Sequence, residues 1–271
     1  MALPATLPYR IIKYNKAYEQ YESQIIALQV ERANREAKIK EEQEKLKKER
    51  NPSLTEIGKE NISHIYNSEK KQAFLTFDDG PSIQTDSILN ILSEQKVKAT
   101  FFVLGVNVNL YPELAKKIYE EGHYLANHGY THMYKNIYSS PEAVLDEYNR
   151  CNEIVREAIK NPEYNSHLFR FPGGLIGGKY AEIKSQAKEL LNENNIVNVD
   201  WNALNGDAEV QNPTVEFEME RLIDTVQDKN SIVVLMHDSE TKQATVDALP
   251  QIINYLREQG YEFKSFYEII K

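Results

Sequence analysis

The sequence predicts an α/β fold in which seven strand and helix units curl towards a barrel behind a long N-terminal helix. Three observations carry this expectation. From residue 72 onward, short apolar runs alternate with amphipathic stretches, the pattern of βα units around a parallel sheet. Between Tyr9 and Arg50 the chain has no Gly and no Pro, so nothing interrupts a helix there. Five of the apolar runs end in ionisable or glycine-rich clusters, as strands of a parallel α/β protein do at the rim that carries chemistry.

The elements follow in order. In the first segment, Ile11, Tyr14, Tyr18, Tyr21, Ile25 and Leu28 advance by alternating steps of three and four, a heptad seam. The same register then meets Arg32, Arg35 and Glu42, so charge breaks the seam in its second half. Residues 1–50 therefore read as a helical stalk or coiled coil, with self-association through this helix as one outcome. Residues 51–71, opening on N-P-S and mixed in charge, read as a linker. The candidate strands are Ala73–Phe77, Ala99–Val103, Tyr124–Ala126, Leu168–Phe171, Ile196–Val199, Ile232–Met236 and Tyr261–Lys264. Amphipathic helices are expected near 86–95, 112–121, 142–159, 179–194, 214–228 and 245–259. Ser140-Pro141 supplies an N-cap with Pro at the first helical position, and Gly122 and Gly260 follow helices as terminators. Seven units in residues 72–271 favour closure, although periodicity alone leaves an open doubly wound sheet standing.

Composition narrows the function classes. Hydrophobic residues make up 41% of the 271, with 17 Tyr, which is enough for one sizeable core. A net charge of −9 argues against nucleic-acid binding, which needs clustered Lys and Arg. The lone Cys151 excludes an intrachain disulfide and any multi-cysteine zinc site, and sits in a helix-like run. No run of roughly 18 apolar residues offers a membrane span, and the start M-A-L-P-A-T-L-P lacks a hydrophobic signal core. The chain is expected either in the cytosol or, with an export or anchor segment outside this sequence, in the cell envelope or outside the cell.

The strand ends carry the chemistry. T-F-D-D-G-P-S places Asp78 and Asp79 together at the end of a buried strand, and adjacent carboxylates repel unless a cation lies beside them. In H-G-Y-T-H, His128 and His132 are four apart, close enough to share one ion from a helical turn or short loop. Two His and one Asp suit Zn²⁺ or a related first-row ion with open positions for water and substrate, the catalytic rather than the structural type. Further along come Arg170-Phe171-Pro172-Gly173-Gly174, Asp200-Trp201 and His237-Asp238. Asp207 in N-G-D-A is a candidate rim residue, although an Asp after Gly in a loop reads first as turn chemistry, and His64, His123 and His167 read as surface or core histidines.

The ordered set T-F-D-D-G, H-x3-H, R-x-P-x-G, D-W and L-x-H resembles the polysaccharide deacetylases of carbohydrate esterase family 4, the NodB homology domain, over residues 72–271. The resemblance implies a distorted (β/α)7 barrel and removal of acetyl groups from N-acetylated sugars. It implies Asp79, His128 and His132 as ligands of one divalent ion, Zn²⁺ first with Co²⁺ or Ni²⁺ as alternatives. Asp78 would be the general base, Arg170 its partner, Gly173 N–H an oxyanion donor, His237 the general acid and Asp200 its orienting carboxylate. An Arg beside Asp78 is expected to push its pKa down. Trp201 and Leu235 would wall the acetyl pocket, with Pro172 and Tyr130 also facing substrate. The family's D-x-x-D-W pattern is met only in part, because Val197 stands where its first Asp would be. Peptidoglycan N-acetylglucosamine is the first choice of substrate. Chitin, poly-N-acetylglucosamine and acetylated xylan stay open, as do an inactive carbohydrate-binding relative and, from the two-His-one-carboxylate set, a non-haem iron oxygenase.

Overall fold

The structure is a computed structural model that describes residues 6–270. The first five residues and Lys271 lie outside it, as do the side chains of residues 6–13 and 17, Ile11 of the heptad seam among them. The chain divides into two compact units, Met1–Glu49 and Arg50–Lys271.

The first unit is one helix, α1, over Thr6–Glu49. Its seam residues Tyr14, Tyr18, Tyr21, Ile25 and Leu28 are exposed. Along its surface, Arg32 and Glu36 pair at 2.8 Å and Arg35 and Glu31 at 3.2 Å, one turn apart, contacts of a few tenths of a kcal/mol that support a solvated helix.

In the second unit, the segment read as a linker contains a helix, α2 (Glu56–Ser63), and a 3-10 turn at Ile65–Asn67. Thr55 caps α2 by accepting the Gly58 N–H at 3.0 Å. Leu54, Ile62 and Ile65 are buried, and so few apolar anchors in a polar stretch explain why composition alone suggests a linker. The strands β1 (Gln72–Asp78), β2 (Thr100–Val103), β3 (Tyr124–Asn127), β4 (Leu168–Phe169), β5 (Val197–Asn198), β6 (Ala203–Leu204), β7 (Ser231–His237) and β8 (Glu262–Phe263) form one parallel sheet. Its order is β5-β4-β3-β2-β1-β7-β6, with β8 beside the start of β1. Eight strands stand where seven were expected; β6 is two residues long and follows the polar D-W-N, so it carries no readable apolar run.

Side chains alternate across a strand. The helices after β1 are α3 (Thr85–Glu94), α4 (Gly105–Leu110), α5 (Pro112–Glu120), α6 (Tyr134–Ile137), α7 (Pro141–Ile159), α8 (Ala181–Glu193), α9 (Val215–Val226) and α10 (Gln243–Glu258). Ala73, Leu75 and Phe77 face a cluster shared with α3, α4, α5, α7, α9 and α10. Phe74, Phe102, Tyr124, Leu168, Val199 and Val233 instead meet one another, together with Ile62, Ile65, Phe266 and Ile270. Residues from strands across the sheet converge on that second face, so the sheet curls around it and the N-terminal segment plugs it. Thr76 and Asp78 share the parity of Phe74, and Leu235 and His237 that of Val233, which places all four on the inner face. The sheet ends at β5 and β6, and residues 199–202 cross directly from one edge to the other.

Candidate active site and metal centre

Parallel register sets the first pair: Asp78 at the end of β1 stands opposite His237 at the end of β7. The chain then turns at Asp79, which takes a left-handed φ of 72°, a conformation that Asp tolerates better than most residues. Gly80 follows because a Cβ there would come within 2.4 Å of Asp238 Oδ2. Asp238 accepts from Ser82 at 2.7 Å and Thr85 at 2.6 Å, which fixes the loop behind the paired aspartates.

The H-G-Y-T-H segment is a loop rather than a helical turn, and His132 has φ 58°. A buried carboxylate holds it. Glu147 on α7 accepts the N–H groups of Tyr130 and Thr131, each at 2.6 Å, and the Thr131 hydroxyl at 2.9 Å. His128 has Nδ1 2.8 Å from the Arg170 carbonyl, which leaves Nε2 turned inward. Nε2 of His128 and Nε2 of His132 each lie 3.6 Å from Asp79 Oδ1. The three ligand atoms fall within 4.8 Å of one another. Ligands about 2.1 Å from a tetrahedral ion sit roughly 3.4 Å apart, so the spacing fits one first-row ion. Asp79 Oδ1 is buried with no hydrogen-bond partner among the described residues, and burial pushes His128 down to about 3, which keeps its ring neutral. An orphaned carboxylate oxygen and a neutral imidazole are what a divalent cation requires.

Arg170 is fully buried, its guanidinium stacked 4.0 Å over the Phe102 ring. Nη1 donates to Asp78 Oδ1 at 2.7 Å and Thr76 Oγ1 at 2.8 Å, Nε to the Val199 carbonyl at 2.9 Å, and Nη2 to the Asp200 carbonyl at 3.1 Å. Asp78 is pinned in place, but its pKa moves opposite to expectation. Burial, the largest influence, raises it above the usual carboxylate range, and Arg170 only partly opposes that.

The carboxylate that orients His237 is Asp207, not Asp200. Asp207 Oδ1 lies 2.7 Å from His237 Nδ1, and Oδ2 accepts the His237 backbone N–H at 2.8 Å. Asp200 instead accepts the Leu175 N–H on Oδ2 at 3.0 Å, bracing the R-F-P-G-G loop, while its carbonyl receives Arg170. The two differ because residues 199–202 carry the chain past the sheet edge, so β6 and the N-G-D turn, rather than the D-W dipeptide, come to lie beside β7. Burial alone would lower His237, yet the Asp207 hydrogen bond and charge outweigh it and raise the ring to about 9. The same contacts hold Asp207 below the usual carboxylate range in spite of its burial.

Behind this pair, Thr245 Oγ1 is 3.0 Å from Asp207 Oδ2 and 3.3 Å from Glu218 Oε1, and Asn205 Nδ2 donates to Glu218 Oε2 at 2.7 Å. Glu218 is fully buried, and desolvation, aided by Asp207, pushes it to about 7.

The other expected residues divide. Gly173 is exposed with φ 73°, and its N–H has no acceptor among the described residues. Leu235 is buried on the inner face, and Trp201 is half-buried against Gly174. Pro172 is buried, its carbonyl accepting the Tyr138 hydroxyl at 2.6 Å. Tyr130 turns its ring onto Gly105 and lies 4.1 Å beneath the Arg150 guanidinium, so Tyr130 and Pro172 support the site without facing it. Tyr134, which no motif flags, has its ring 5.6 Å from His132 and its hydroxyl over Gly173.

A family model described as polysaccharide deacetylase matches residues 66–190. A peptidoglycan-N-acetylglucosamine deacetylase of Bacillus cereus is 33% identical over 218 residues, covering 79% of this chain and 76% of that protein. The chain belongs to the polysaccharide deacetylase family. A solved CE4 esterase from Streptococcus mutans superposes with TM-score 0.68 at 32% identity, over 76% of this chain and 90% of that one. A CE4 family pseudoenzyme from Bacillus anthracis, 24% identical, shares the fold with TM-score 0.63, covering 75% of this chain and 66% of its own. The curled parallel sheet is thus the deacetylase fold, and the fold by itself does not carry activity. The deacetylase family model ends before Asp200, Asp207 and His237, so geometry alone distinguishes them. Setting Asp207 into the D-x-x-D-W pattern puts Leu204 at its first position and Ala208 where the tryptophan would stand.

Proposed function

We propose that this chain hydrolyses the acetamide of N-acetylglucosamine in peptidoglycan, with one divalent ion, Zn²⁺ first, held by Asp79, His128 and His132. The observation that carries the proposal is the spacing of those three ligand atoms around an unpartnered carboxylate oxygen, with Asp78 and His237 in register beside it. The ion, when bound, supplies Lewis acidity towards the acetyl carbonyl and towards water. Asp78, held by Arg170 and raised by burial, accepts the proton of the attacking water. The Gly173 N–H donates to the oxygen that gains charge as the carbonyl carbon becomes tetrahedral. His237, cationic below about 9, returns a proton to the sugar nitrogen as the C–N bond breaks. The products are acetate and a free amine.

The activity for which the Bacillus cereus relative is named supports the substrate. It also supports action at the cell envelope or outside the cell, with α1 as a stalk able to pair with a second copy through its exposed Tyr14, Tyr18, Tyr21, Ile25 and Leu28. A substrate panel tests the reading: purified peptidoglycan, chitin oligomers and acetylxylan, each assayed for acetate. Release from peptidoglycan, abolished by a chelator and restored by Zn²⁺, Co²⁺ or Ni²⁺, is the expected result. Release from acetylxylan alone, or from none of the three with any metal, would overturn it.

A further inference from the structure

Tyr134 opens the short helix α6 two residues after His132, and the chemistry above makes no use of it. It is 40% exposed, so its phenol is open to a ligand. Two contacts place it. Its ring lies 5.6 Å from the His132 ring, which in turn lies 5.3 Å from that of His128. Its hydroxyl oxygen fills the space where a Cβ on Gly173 would stand, with Cζ 3.3 Å from that point. The phenol thus reaches from a metal-ligand histidine to the residue whose free N–H serves the developing oxyanion in the deacetylase reading.

A shared frame fixes that arrangement. Tyr138, one turn further along, meets the Tyr134 ring edge-on at 5.5 Å and donates its own hydroxyl to the Pro172 carbonyl at 2.6 Å. Lys184 on α8 is buried, sits 5.1 Å over the Tyr138 ring and donates to the Gly174 carbonyl at 2.6 Å. On the far side of the turn, Asp200 Oδ2 accepts the Leu175 N–H at 3.0 Å. The Gly173 loop and the Tyr134 ring are therefore fastened to one platform, and their spacing is set before substrate arrives. Tyr138 spends its proton on Pro172, whereas the Tyr134 hydroxyl makes no hydrogen bond among the described residues. Two uncommitted donors side by side suit an oxygen that gains charge, because donors fixed in advance need no reorganisation when the charge appears.

Resting on the deacetylase reading, we propose that Tyr134 is a catalytic residue whose hydroxyl donates a hydrogen bond to the acetyl carbonyl oxygen, beside the Gly173 N–H. As water adds to the carbonyl carbon, the π pair of the C=O bond moves onto that oxygen, and the Tyr134 O–H bonds it more strongly while keeping its proton. When the C–N bond breaks the pair returns, and the hydrogen bond relaxes. A hydroxyl that instead held a ring hydroxyl of the sugar would bind ground state and transition state alike, and its loss would fall on KM rather than kcat. A hydroxyl that only steadied His132 would show in metal affinity.

Tyr134→Phe keeps the ring and its contacts with His132 and Tyr138 and removes the hydroxyl alone. With a soluble peptidoglycan tetrasaccharide, kcat for acetate release should fall roughly 10- to 100-fold, less than a fully enclosed oxyanion donor is worth because the phenol is part exposed. KM should stay within about twofold, and Zn²⁺ affinity, read by chelator competition, should not change. A second measurement needs no turnover. In the Asp78→Asn chain, which lacks the general base, the same tetrasaccharide is bound with ¹³C at its N-acetylglucosamine carbonyls and followed by infrared difference spectroscopy. A donated hydrogen bond lowers a carbonyl stretch, so one downshifted band is expected, and adding Tyr134→Phe should move it back up. Undiminished kcat, a loss confined to KM, weakened Zn²⁺ binding or an unmoved carbonyl band would each overturn the assignment, while acetate release by the unaltered chain leaves the deacetylase reading standing. A carbonyl band that depends on Tyr134 in a chain that releases no acetate would uphold the donor and remove the deacetylase reading instead.

Discussion

Asp207 holds His237 at two points, its carboxylate 2.7 Å from the ring Nδ1 and 2.8 Å from the backbone nitrogen. A carboxylate that grips both ring and main chain sets the imidazole's orientation, its tautomer and its charge together. With Nδ1–H donated to Asp207, Nε2 carries the proton that the cationic ring can give up.

Asp207→Asn should cut kcat for acetate release by roughly 10²-fold or more, the usual worth of a positioned proton donor. Asp200→Asn should leave the His237 titration, followed by NMR of the ring, where it is. An equal displacement of that titration by both substitutions would refute the assignment.

The alkaline side of the pH profile follows from the same pair. With His237 raised to about 9, the rate should fall about tenfold per pH unit above that value as the ring loses its proton. The sign for stability agrees: the folded pKa exceeds the unfolded 6.5, so the contribution is complete below 6.5 and vanishes as pH rises through about 9. Urea unfolding between pH 6 and 10 should show the midpoint dropping across that window; a midpoint rising there contradicts the pairing.

Glu218 tests the relay behind them. Thr245 has one hydroxyl proton and two carboxylates within reach, so a protonated Glu218 that donates to Thr245 lets Thr245 donate to Asp207. Glu218→Gln keeps that order and should retain activity within about twofold, whereas Glu218→Leu leaves buried partners unpaired and should cost about 1–3 kcal/mol. Loss of activity in the Gln variant would mean that the carboxylate works as an anion.

Removing Arg170 strands a buried charge. Arg170→Met should destabilise the fold by roughly 3–5 kcal/mol in denaturant titrations. Adding Asp78→Asn should recover part of that loss, because the two residues are in contact. Strictly additive losses would show that the pair is not coupled.

Glu147 carries the loop between the two histidines. Glu147→Gln, which weakens its three-fold grip on Tyr130 and Thr131, should loosen Zn²⁺ binding by roughly 10- to 100-fold. His128→Ala should abolish it. Zn²⁺ competition against a chromogenic chelator reads both without any substrate.

Much of the site is legible in the sequence itself. The run A-F-L-T-F ending in Asp78-Asp79, and the four-residue spacing of His128 and His132, are local signals, and each survived folding as a strand end or a loop. What stayed hidden depends on distance along the chain. Asp207 sits in N-G-D, residues that make turns in any protein, and only the edge-to-edge crossing at 199–202 brings it to His237. Glu147 looks like one more solvated acid on an amphipathic helix until the loop it anchors is in place. The segment before β1 reads as a linker because three apolar side chains are too few to announce a helix, although they suffice to stopper a curled sheet.

The two borders of that sheet are only two residues each, Val197–Asn198 and Ala203–Leu204. A strand so short presents almost no ladder of unpaired amides and carbonyls for a foreign strand to zip onto. An incompletely closed barrel can thus keep a gap in its wall without inviting neighbouring molecules to aggregate along it.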